Sequence, residues 1–82
     1  MKKMNKPIHF VTKQFKKFRV DRGWSQQEMA EFLALQMNRK VSQVMVAYWE
    51  TQTRGMMAEQ ALELSRALKV PVADLFEQKP VK

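Results

Sequence analysis

The stretch Ser25-Gln26-Gln27-Glu28-Met29-Ala30-Glu31-Phe32-Leu33-Ala34-Leu35-Gln36-Met37-Asn38-Arg39-Lys40-Val41-Ser42-Gln43-Val44-Met45-Val46-Ala47-Tyr48-Trp49-Glu50 decides how this chain folds. It contains two helix starts. Ser25 followed three residues later by Glu28 is a capping box: the hydroxyl accepts from the backbone N–H of residue 28, and the carboxylate reaches back to that of residue 25. Met29, Ala30 and Leu33 then fall on one inward face. No glycine stops this helix at Ala34. It is expected to run through Leu35, Gln36 and Met37 to Asn38, which tolerates a left-handed conformation at a helix end, leaving Arg39 and Lys40 in a turn.

Ser42 caps the second helix, over 43–50. This helix carries two apolar stripes. Met45, Val46 and Trp49 form one; Val44, Ala47, Tyr48 and Thr51, at i, i+3, i+4 and i+7, form the other. A helix of a small domain normally buries one stripe, so the second is either surplus core or a surface with another use. The β-branched run also admits a strand over 44–48, but the serine cap and the lack of clean alternation favour the helix.

Working outward, a helix is predicted over 12–22. Phe15 and Phe18, with Val11 and the stem of Arg22, share one face; Lys13, Lys16, Lys17 and Val20 lie off it, and Gly23 ends it. Beyond the polar loop 51–55, a helix over 57–69 turns Ala61, Leu62, Leu64, Ala67 and Leu68 inward. Val70-Pro71-Val72 breaks it, and a short last helix over 72–77 presents Leu75 and Phe76. The expected organisation is a flexible basic arm over 1–11, one domain over 12–77, and a disordered tail over 78–82 that contains Pro80.

At 82 residues the chain is one small domain. It has no cysteine, which excludes disulfides and thiolate metal sites. Its apolar runs are far too short for a membrane span, and Met1-Lys2-Lys3 is not followed by the apolar run of a secretory signal. His9 is the single histidine, and Gly23 and Gly55 are the only glycines, so neither a metal site nor a phosphate-cradling loop is expected. No enzyme activity and no cofactor are expected. The charge is lopsided. Residues 1–22 hold eight Lys/Arg against one acid, Asp21, whereas 23–82 hold seven of each, so the net +7 sits at the N-terminal end. That points to a polyanionic partner, or to a solubilising tail.

Three ordered groups of residues carry a resemblance. They are Arg19, Gly23-Trp24-Ser25-Gln26 and Met29-Ala30; then Val41-Ser42-Gln43, Val46 and Trp49-Glu50; then Ala67-Leu68, Val70 and Leu75-Phe76. Over about residues 13–76 the chain resembles the Cro and phage-repressor type (XRE-like) helix-turn-helix DNA-binding family. The resemblance implies an all-α, compact five-helix, lambda-repressor-like domain with the helix-turn-helix at helices 2 and 3. Helix 3 would enter the major groove of double-stranded DNA, turning Ser42, Gln43, Val44, Ala47 and Tyr48 to it; Gln43 matches adenine and Val44 a thymine methyl. Gln26 would contact a phosphate and brace helix 3, and Thr53 and Arg54 would grip the backbone from the following loop. Arg19 and Glu50 would form an ion pair inside the domain.

The link between Ser25 and Ser42 is longer than the family pattern, with Ala34 where a glycine is usual. This brings Arg39 and Lys40 towards the DNA backbone. Pro71 stands where a capping serine is frequent. Lys2, Lys3 and Lys6 either follow the backbone or a minor groove, or add only non-specific attraction. The expected partner is a palindromic operator bound by a homodimer, with Leu75, Phe76 and exposed parts of helix 4 at the dimer surface, in a cytoplasmic, nucleoid-associated transcriptional regulator, most simply a repressor. Two alternatives come from other classes. One is the DNA-binding antitoxin of a toxin–antitoxin pair, or a protein-interaction module using Met37, Met45, Met56 and Met57 as an adaptable surface. The other is a basic amphipathic helix 1 lying on an anionic membrane.

Overall fold

The structure is a computed structural model and describes residues 8–79. Five helices and a two-stranded ribbon follow in the order β1 (Ile8–Val11), α1 (Lys13–Asp21), α2 (Gln26–Met37), α3 (Gln43–Glu50), α4 (Ala58–Leu68), α5 (Val72–Leu75) and β2 (Phe76–Lys79). No helix among the described residues is long and apolar enough to cross a membrane.

Each helix boundary has a local cause. At α2, Ser25 Oγ accepts from the Glu28 N–H at 3.1 Å, and the Ser25 N–H donates to Glu28 Oε1 at 2.8 Å, which closes the capping box. Asn38 ends α2 in the left-handed region at φ 53°. Ser42 caps α3 through its hydroxyl to the Met45 N–H at 3.2 Å, while the Ser42 N–H turns to the Met45 sulfur at 3.5 Å. A thioether thus occupies the acceptor position that a carboxylate fills in α2. Gly23, at φ 70°, follows the end of α1.

The core collects one face from every element. Phe15, Met29, Leu33, Val46, Leu64 and Leu75 are its largest fully buried side chains. Trp49 packs edge-on against Phe15, with ring centroids 6.0 Å apart. A second, half-buried aromatic group of Phe18, Trp24 and Phe32 joins α1 to α2, and the Arg22 guanidinium lies 3.4 Å from the centre of the Phe18 ring. Leu62, expected inward, is 43% exposed, because Ala61, Leu64, Ser65 and Leu68 take the buried face of α4.

The ribbon departs from the all-α expectation. Residues 8–11, expected in a flexible arm, and 78–79, expected in a disordered tail, are strands here; the last helix stops at Leu75 rather than at residue 77. β1 and β2 pair antiparallel in the register Ile8↔Lys79, His9↔Gln78, Phe10↔Glu77 and Val11↔Phe76. The reason is burial: His9 and Val11 alternate inward along β1, and Phe76 closes over the core opposite Val11. On its other side His9 exchanges both backbone hydrogen bonds with Met56, at 2.9 and 2.8 Å. Thr12 then starts α1 while tied to α5, its N–H donating to the Leu75 carbonyl at 2.7 Å and its hydroxyl to the Asp74 carbonyl at 2.7 Å. The rest of the expected arm, with Lys2, Lys3 and Lys6, and residues 80–82 lie outside the described residues.

Candidate nucleic-acid interface

The two stripes of α3 separate cleanly. Val46 is fully buried, Trp49 nearly so, and Met45 half-buried against the same core. On the opposite side Val44 is 57% and Tyr48 38% exposed, with Ala47 half-buried between them and Gln43 and Ser42 exposed at the helix start. Val44 and Tyr48 are therefore not core residues. Ser42 is occupied as the cap, so its hydroxyl is already an acceptor within the chain.

Three donors fix the far end of α3. Glu50 receives Arg19 Nε at 2.6 Å and Arg19 Nη2 at 3.0 Å, a two-pronged pairing, and Gln26 Nε2 at 3.0 Å. The side chains of Arg19 and Glu50 are 13% and 5% exposed. Hydrogen bonding to Glu50, against the opposing effect of burial and helped by the carboxylate's charge, holds the Arg19 guanidinium above its ordinary pKa. Arg19 also donates to the Trp24 carbonyl at 2.9 Å. The ion pair thus joins α1, the α1–α2 turn, the first residue of α2 and the last of α3. The amide nitrogen of Gln26 is engaged as a brace.

The loop after α3 is ordered by its own hydrogen bonds. The Thr51 hydroxyl donates to the Ala47 carbonyl at 3.0 Å and shares a hydrogen bond of 2.7 Å with the Thr53 hydroxyl. The Thr53 and Arg54 N–H groups both reach the Tyr48 carbonyl, at 2.9 and 3.3 Å. The Arg54 guanidinium lies 5.1 Å from the centre of the Tyr48 ring, so loop and helix present a cation and an aromatic together. Gln52, at φ 59°, turns its amide to the Val11 carbonyl at 2.8 Å and to Glu77.

Arg39 does not join this group. Its Nη2 lies 3.0 Å from Glu63 Oε1 on α4, so it faces α4 in an exposed ion pair, while Lys40 beside it is exposed. Two features escaped the sequence reading. Thr51, counted only as a member of the stripe, knots the end of α3 to the loop. Lys13, Lys16 and Lys17 of α1 line an open groove with Thr51 and Gln52, which Glu50, Asp74 and Glu77 also border. Their place off the core face of α1 was legible in the sequence; their proximity to the end of α3 comes only from the α1–α3 packing. Among the described residues no cluster of His, Asp or Glu could hold a metal ion. No protein-family model, no curated protein and no solved structure matches this chain.

Proposed function

We propose that this chain is a sequence-specific duplex-DNA-binding regulator of transcription in which α2 and α3 act as a helix-turn-helix and α3 enters the major groove. The observation that carries the reading is the outer stripe of α3. Gln43, Val44, Ala47 and Tyr48 form a continuous surface on the side away from the core, on a helix whose end is anchored by Arg19, Glu50 and Gln26. Arg54 beside Tyr48 supplies positive charge at its border, as phosphate contacts require. Exposed Lys13 and Lys16 of α1 lie in the groove next to the end of the helix, where Lys17 pairs with Asp21. In this reading regulation is by occupancy: the bound protein blocks other proteins from the operator. A symmetric pair of copies on half-sites about 34 Å apart matches one helical turn of DNA.

The test is binding to a duplex recovered by selection from random sequence. Gln43→Ala is expected to weaken binding by roughly 5- to 150-fold, the equivalent of about 1–3 kcal/mol for one base contact. Its melting temperature should match that of the parent, since Gln43 is exposed. Exposed Val44 and Leu35 also suit a protein partner, such as the toxin of a toxin–antitoxin pair. Salt-insensitive capture of a protein by this face, with no shift of any duplex, would overturn the DNA reading.

A further inference from the structure

Resting on that DNA reading, the chemistry of α3 specifies which base pairs it reads. Glu50 is the one charged residue of the helix, and it is turned inward onto Arg19. The outward positions carry one amide (Gln43), one isopropyl group (Val44), one methyl group (Ala47) and one phenol (Tyr48). Thr51, next along the stripe, has its hydroxyl engaged by the Ala47 carbonyl and by Thr53.

In the major groove guanine offers two acceptors, best matched by the fork of arginine or by lysine, and cytosine offers an amino donor, best matched by a carboxylate. Neither kind of side chain stands on the outer face of α3. The neighbouring cations stand off that face: Arg54 lies over the Tyr48 ring, Arg39 pairs with Glu63, and exposed Lys40 precedes the Ser42 cap. Adenine, with one acceptor and one donor side by side, matches the Gln43 amide; thymine adds a C5 methyl group, which matches Val44 and Ala47.

We propose that the base pairs beneath α3 are A·T pairs, and that contact of Val44 and Ala47 with thymine methyl groups supplies a main part of the discrimination. The exposure of Val44, an apolar side chain left in water, is what such a contact would relieve.

The experiment uses the full chain and its selected duplex, with each thymine replaced singly by deoxyuridine, which deletes the methyl group and leaves pairing intact. Affinity is expected to fall roughly three- to fivefold at one or two positions in each half-site, about the value of one buried methyl group. In Val44→Ala the penalty at the Val44 position should vanish, deoxyuridine and thymine being bound alike. Tight duplex binding with G·C pairs at the most selective positions, or with no deoxyuridine penalty anywhere, would overturn this inference while leaving the DNA reading standing. Failure to bind any duplex would remove the DNA reading, and this inference with it.

Discussion

Glu50 illustrates how one side chain sets the position of a surface it never joins. Its carboxylate is 5% exposed and accepts from two nitrogens of Arg19 and one of Gln26. Arg19→Ala would leave that carboxylate buried with a single amide donor, and the expected loss is about 3 kcal/mol of stability in chemical denaturation. A loss within about 0.5 kcal/mol, the range of an ordinary surface substitution, would show that the pair is not structural. Gly55 makes a different demand. A Cβ there would stand 2.3 Å from Ile8 Cγ2 and 2.8 Å from the His9 carbonyl oxygen, which already accepts from the Met56 N–H. Gly55→Ala is therefore expected to cost about 1–3 kcal/mol through displacement of β1, visible as a lowered melting temperature. The two residues were unequally legible. Arg19 and Glu50 were expected to pair on the strength of a resemblance, whereas Gly55 read only as part of a polar loop, because the strand that crowds it lies far away in sequence.

The elements separate into those whose cause is local and those whose cause is distant. Both capping serines, the left-handed Asn38 and the extension of α2 to Met37 were legible, because each depends on residues within a turn or two. The two caps nevertheless differ in strength. In α2 a carboxylate accepts the cap N–H; in α3 the Met45 sulfur, a weak acceptor, does so at 3.5 Å. Glu28→Ala should destabilise the protein by about 0.5–1.5 kcal/mol. Met45→Leu should change stability by less than that, because it keeps the apolar volume and surrenders only a weak contact. Equal losses in the two variants, measured by urea unfolding, would contradict this ranking. The ribbon was not legible. Ile8-His9-Phe10-Val11 is short and includes a histidine on its buried side, and nothing near it in sequence announces β2. A strand of four residues is defined by its partner more than by its composition. The outer stripe of α3 was legible as a surplus of apolar residues, while the diversion of Arg39 to Glu63 depends on how α4 packs and was not.

At the scale of the molecule, the helices pool their buried faces into one core, and a ribbon drawn from both flanks of the domain packs against it. Positive charge gathers before Gly23, and α1 brings its lysines alongside the end of α3. The ribbon also has a kinetic consequence. Its register joins Val11 to Phe76 and Ile8 to Lys79, so nearly the whole described chain lies between partners. Closing so long a loop loses much entropy before any contact compensates, whereas α2 and α3 meet across a short link. The ribbon should therefore zip last and open first. Phe76→Leu is expected to accelerate unfolding and leave refolding nearly unchanged in stopped-flow traces, with a φ-value below about 0.3. A value near one would put the ribbon in the nucleus instead. With late zipping, the chain acquires its outer α3 stripe while β1 is still searching for its mate, and the helices alone must hold the intermediate architecture together.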